Sequence, residues 1–186
     1  PCDKFTFALV AGAGDTDNAA FTLTGGQLAL NGVANYEAKT SYSIRVRVTD
    51  FGDATFDQVL TVNVNDVDEF DVGAVTDSNP AANTVLENAV NGTTVGLTAA
   101  ASDADATTNT ISYSLTDSAG GRFAISTNSG VVTVAGTIDR EAAASYNITV
   151  RATSADASFS DQAFTLNIVD VDEFDVGRLP TMMRQP

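Results

Sequence analysis

The chain has 186 residues, enough for one or two domains, and 44% of them are hydrophobic, which suffices for a core. Nine Lys and Arg stand against 24 Asp and Glu, a formal charge of −15 that disfavours nucleic acid and anionic membrane surfaces as partners. The absence of His excludes His-based triads, His-zinc sites and imidazole general bases.

The single Cys2 cannot close an internal disulfide, which leaves an intermolecular bond or a foreign residue. No stretch approaches the length of a transmembrane helix, so no membrane insertion is expected. No signal peptide is visible ahead of Pro1, as expected of a processed or excised piece.

Helical periodicity is nearly absent. Short alternating apolar runs sit between Gly, Asn, Asp and Ser clusters, the pattern of an antiparallel sandwich. In chain order the runs predict strands near 5–10, 20–24, 27–31, 42–49 and 56–65. A long connection, 70–92, follows, with extended pieces near 70–76 and 83–87. Strands are predicted again near 93–100, 110–116, 122–126, 131–135, 145–153 and 159–169. The tail 178–186 carries Arg178, Met182, Met183 and Arg184, breaks the acidic pattern, and is expected to be disordered or foreign. The fold class is all-β, with tandem Greek-key immunoglobulin-like β-sandwiches.

An internal repeat organises these strands. Asp66-Val67-Asp68-Glu69-Phe70-Asp71-Val72-Gly73 recurs letter for letter as Asp170-Val171-Asp172-Glu173-Phe174-Asp175-Val176-Gly177. Tyr36-Glu37, Tyr42 and Gln58 correspond to Arg140-Glu141, Tyr146 and Gln162, and Phe21-Thr22-Leu23 to Phe123-Ala124-Ile125. The second copy has seven strands, A to G; the first starts at its strand C and lacks A and B. The domains expected are therefore 1–69, a partial repeat, and 70–177, a complete repeat with an extended linker.

Each acidic cassette closes an apolar strand. Like charges this close repel, and a bound hard cation is the simplest way to make such a cluster favourable. If every connection reverses direction, strand parity places the remaining acids. The lower end of the second repeat collects Glu87, Asp139, Glu141, Asp170, Asp172 and Glu173. Its upper end collects Asp103, Asp105, Ser154 and Asp156. The lower end of the first repeat offers Asn35, Glu37, Asp66, Asp68 and Glu69, and is expected to abut the upper end of the second. Acids spaced i, i+2 in extended chain point to one face.

These residues resemble cadherin repeats. Leu86-Glu87-Asn88-Ala89 with Gly92-Thr93 looks like the family's strand-A Glu motif, Asp103-Ala104-Asp105 its D-x-D, Ile138-Asp139-Arg140-Glu141 its L-D-R-E, and Asp170-Val171-Asp172-Glu173 its linker. The resemblance covers 86–173 fully and 5–69 as a partial repeat, and is greatest to the cadherin-like repeats of very large bacterial surface proteins. It implies cadherin-type sandwiches with calcium between successive repeats, held here by Glu37, Asp66, Asp68, Glu69, Asp103 and Asp105. Asn35 departs from the motif by replacing its first Asp, and Ser154 stands where the family has Asp.

Calcium prefers six to eight oxygen ligands and is bound by extracellular modules at roughly 10⁻⁴–10⁻³ M. The EF-hand spacing is absent, with neither Gly at position six nor Glu at position twelve after Asp15, Asp66 or Asp103. Asp15-Thr16-Asp17-Asn18 reads as an ordinary turn. Phe5, Phe7, Tyr42, Tyr113, Tyr146, Phe159 and Phe164 alternate, as core residues do. The acids crowd on polar turns rather than in an apolar cleft, and no Gly-x-Ser-x-Gly or phosphate-binding Gly loop occurs, so no enzyme is expected. The function expected is a calcium-binding adhesion or structural repeat on a bacterial cell surface, with calcium stiffening a rod. Homophilic or head-to-tail contacts with like chains, and a surface polysaccharide, are the partners left open. Two alternatives remain: a carbohydrate-binding module, and a fibre subunit completed by a strand from a neighbouring chain.

Overall fold

The computed structural model describes residues 4–172. Cys2, Glu173, Phe174-Asp175-Val176-Gly177 and the tail 178–186 lie outside the described residues. The chain divides into two compact units, residues 1–69 with 105–107 and residues 70–104 with 108–186.

In the first unit the strands are β1 (Thr6–Leu9), β2 (Phe21–Thr24), β3 (Gln27–Leu30), β4 (Ser41–Thr49) and β5 (Thr55–Asn63). A 3-10 turn at Asn18–Ala20 leads into β2. Strand β4 shows why they form: Ile44 and Val46 alternate with Arg45 and Arg47, so one face is apolar and the other charged. The sheet order is β1-β4-β5, all antiparallel, and β2-β3 is a separate hairpin. Phe21, Ile44 and Val46 are the buried core, with Leu9, Leu23, Leu30, Tyr42 and Val62 packed around them.

On the charged face Arg45 and Arg47 both bond Asp57, which sits opposite Arg47 in the register, at 2.9 Å for Arg45 Nη2 and 2.6 and 2.8 Å for Arg47 Nε and Nη2. The polar loop before β2 is stapled to β4. Asp17 accepts from Ser43 N at 2.7 Å and Lys39 Nζ at 2.5 Å, and Asn18 accepts from Arg45 N at 2.9 Å.

The second unit holds β6 (Thr76–Asp77), β7 (Thr84–Leu86), β8 (Thr94–Ala100), β9 (Ser112–Asp117), β10 (Phe123–Ile125), β11 (Val131–Val134), β12 (Ser145–Thr153) and β13 (Phe159–Val169). Two four-stranded sheets, β10-β11-β8-β6 and β7-β13-β12-β9, enclose a core that includes Val95, Leu97, Val132, Ile138, Ile148, Val150 and Leu166. The first edge of the sandwich is shared: β6 pairs antiparallel with β8 in one sheet, and β7 pairs parallel with β13 in the other. Two glycines of the second unit allow close backbone approach. Gly96 (φ +81°) and Gly130 (φ +68°) would each place a Cβ about 2 Å from a carbonyl oxygen, of Ala82 and Ala99 respectively.

The piece near 70–76, expected to be an extended part of the connection, pairs at Thr76–Asp77. Before it, Val72 and Val75 drop into the core, Val72 N donates to Ser158 Oγ at 2.9 Å, and Gly73 N donates to Ser102 O at 2.8 Å, so these two N–H groups are satisfied without a strand partner. The alternating aromatics are not all core. Tyr113 is buried and Tyr42, Tyr146 and Phe164 partly so, but Phe5, Phe7 and Phe159 are exposed. Phe159 instead lies under the Arg151 guanidinium at 3.9 Å.

Candidate metal centre

Beyond β5 the chain stays extended, with Val64 N bonded to Thr40 O at 2.9 Å, and delivers Asp66 and Glu69. Glu37 comes from the β3–β4 connection. Asn35 closes the turn there, its Oδ1 accepting from Ala38 N at 2.7 Å and its carbonyl from Lys39 N at 3.0 Å. Asp105, only 1% exposed, belongs to the segment 105–107 that packs with the first unit. Its Oδ1 accepts from Thr107 N at 3.0 Å, and Thr107 Oγ1 donates to Asp66 Oδ2.

Glu37, Asp66, Glu69 and Asp105 each bring one carboxylate oxygen within 4.8 Å of the others. Desolvation lifts the Glu69 carboxyl above the usual carboxylate range, and the charges of Glu37, Asp105 and Asp66 push it the same way. Both carboxylate oxygens of Glu37 and Oδ1 of Asp66 are shielded from solvent and meet no hydrogen-bond donor. Shielded, donorless carboxylate oxygens facing like charges are costly by themselves and fit a hard cation.

A second group, Glu87, Asp139 and Glu141, meets the same distance criterion but is differently satisfied. Glu87 is buried and accepts from Val171 N at 2.6 Å on one oxygen and from Arg140 N at 2.7 Å on the other. Those two N–H groups hold its carboxyl below the usual range despite its burial. Asp139 Oδ1 accepts from Glu141 N at 2.9 Å and Ala142 N at 3.1 Å. For Glu141, its own backbone N–H works downwards, but burial and the neighbouring Glu87 charge leave the carboxyl raised. Glu87 therefore clasps the end of β7 to the turn at Arg140 and the chain leaving β13.

The other sequence candidates fall outside both groups among the described residues. Asn35 Oδ1 is committed to its turn. Asp68, Asp103 and Asp172 join neither group, and Asp170 lies against the Glu87 carboxylate. Glu173 is not among the described residues. Ser154, which stands where the resembled family has Asp, is buried and donates to Thr108 O at 2.7 Å. Thr107 was not singled out from the sequence. Its role depends on a loop bringing it to Asp66, and a lone Thr two residues after an Asp carries no signal of that.

A sandwich whose strand ends and loops gather carboxylates defines the class, and comparison with known proteins places it. The family model described as Cadherin domain matches residues 82–171. Human protocadherin Fat 4 is 37% identical over 128 residues, covering 68% of this chain and 2% of that protein. Chicken cadherin-7 is 36% identical over 132 residues, covering 63% of this chain and 16% of the relative. The solved protocadherin gammaB7 EC3-6 cis-dimer structure superposes with a TM-score of 0.74 at 23% identity, covering 91% of this chain and 41% of that one. This chain thus carries a cadherin domain homologous to those of protocadherins and cadherins, and spans a small fraction of the curated relatives it matches. No helix among the described residues is long and apolar enough to cross a membrane.

Proposed function

We propose that this chain is a calcium-binding extracellular adhesion or structural module whose calcium stiffens the connection between its two repeats. The observation that carries the proposal is the donorless, shielded set of oxygens on Glu37 and Asp66 beside Glu69 and Asp105. Those four residues hold the cation, and Asp68 and Asp103 are the further ligands that the motif positions suggest. Thr107 orients Asp66 by its hydrogen bond. A bound calcium ion supplies positive charge that offsets the mutual repulsion of these acids. Because Glu37, Asp66 and Glu69 come from the first repeat's sequence and Asp105 from the second's, holding one ion restrains the chain at both places.

At the lower end of the second repeat, the group Glu87, Asp139 and Glu141, with Asp170 against Glu87, is the second place proposed to hold a cation, and the sequence adds Asp172 and Glu173 as candidates. The gammaB7 structure is described as a cis-dimer; homophilic contacts of this chain are a proposal by analogy. The bacterial cell-surface setting is proposed from the resemblance to the repeats of very large bacterial surface proteins. A sugar platform is less favoured, because the exposed aromatics are Phe, without the polar tip that orients a sugar.

The test is thermal unfolding with millimolar calcium and with excess chelator. Calcium raises the melting temperature of the wild type, with half-saturation at roughly 10⁻⁴–10⁻³ M. Asp105→Asn, close in shape but uncharged, loses most of the increment. Identical melting with calcium and chelator would refute the proposal.

A further inference from the structure

The turn between β12 and β13 runs from Ser154 to Ser158 and is braced by its own backbone. Ser154 N donates to Ser158 O at 2.9 Å, Ala157 N to Ser154 O at 3.0 Å, and Ser158 N to Asp156 Oδ1 at 2.7 Å. Its two serine hydroxyls reach other parts of the second unit. Ser154, 4% exposed, donates to Thr108 O at 2.7 Å, and Ser158 Oγ accepts from Val72 N at 2.9 Å. The next residue, Gly73, donates its N–H to Ser102 O at 2.8 Å.

These bonds converge on one loop. Ser102 and Thr108 stand immediately before and after Asp103–Thr107, which carries Asp105. The loop lies between β8 and β9 and has no strand of its own. Ser154 holds its far end directly; Ser158 holds its near end through Val72 and Gly73. The residue type at 154 fits the task. A hydroxyl can donate to the Thr108 carbonyl, whereas a carboxylate would face it with a second acceptor.

We propose that Ser154 and Ser158 are positioning residues for the metal centre. The β12–β13 turn clamps both ends of the Asp103–Thr107 loop and so sets where the Asp105 carboxylate stands, without either hydroxyl touching the cation. A ligand on a loose loop loses conformational freedom when an ion binds, and a ligand on a held loop loses less. The purpose of the clamp rests on the calcium reading above; the clamp itself rests on the hydrogen bonds.

The test uses the whole chain with Ser154→Ala, Ser158→Ala and Ser154→Thr, which keeps the hydroxyl. The control is Thr165→Val, which removes a hydroxyl bond of 2.8 Å to Asn147 Oδ1 on β12. In excess chelator, exchange of the Thr107 amide, which is bonded to Asp105 Oδ1, speeds about five-fold in each alanine variant, while the Ile148 amide of β12 keeps its rate. In a calorimetric calcium titration the half-saturation concentration rises by about the same factor. Ser154→Thr and Thr165→Val match the wild type in both measurements. Unchanged Thr107 exchange in both alanine variants overturns the clamp, as does equal acceleration at Ile148, which would mark a loss spread over the whole unit. A loosened loop with unmoved calcium half-saturation overturns the positioning role. A wild type that takes up no calcium sinks the calcium reading and the positioning role with it, while exchange in chelator still decides the clamp.

Discussion

At the scale of single residues, charge pairs and backbone clearances decide most. Asp57 is held far below the usual carboxylate range, first by its hydrogen bond to Arg47 and then by that to Arg45. A depressed folded-state pKa stabilises the fold above the ordinary carboxylate range, and that stabilisation is lost as pH falls through it. Asp57→Asn should therefore melt below wild type at pH 7, with the gap closing as both are taken toward pH 2 in a calorimeter. Gly96 is constrained sterically: at φ +81° an added methyl would meet Ala82 O at 2.1 Å. Gly96→Ala should cost roughly 3 kcal/mol in urea unfolding, whereas Gly92→Ala, also at positive φ but with open space around it, should cost about 1 kcal/mol.

At the scale of elements, the alternation in stretches such as Thr94–Ala100 and Ser145–Thr153 made strands legible, because each has one face buried and period two is the only way to present it. What alternation cannot reveal is which partner covers that face. Phe7 and Leu28 correspond by the internal repeat to Tyr113 and Val132, yet the first two are exposed and the second two buried. The acids show a similar limit. Glu87 stands out in sequence as a carboxylate at the end of an apolar run, but its two backbone donors, Arg140 and Val171, come from distant turns. The same letter in Glu37 meets no donor at all. Sequence marks one as an acid at a strand end and the other as an acid in a turn; the third dimension separates a clasp from a candidate ligand. Glu87→Ala should lower the melting temperature even in chelator, by roughly 5 °C, and speed amide exchange at Arg140 and Val171.

At the scale of the whole molecule, net charge and the proposed calcium should act together. With −15 and few cations to balance it, the chelated protein repels itself, so raising NaCl from about 0.05 to 0.5 M should raise its melting temperature by a few degrees. Calcium at millimolar concentration should still add to that at about 0.15 M salt, because shielded carboxylates are screened less than surface ones. Scanning calorimetry across both titrations checks the two statements. The pairing of β7 with β13 has a mechanical consequence. These strands lie near the start and the end of the second unit and run parallel, joined by bonds such as Glu87 N to Val169 O at 3.0 Å and Asn167 N to Asn83 O at 2.9 Å. A pull on the two ends of this unit drags one strand along the other, so the bonds are loaded together in shear and must fail together, whereas a hairpin pulled open at its mouth would unzip one bond at a time. A module that carries tension is well built with a strand near its start and its last strand side by side in this way.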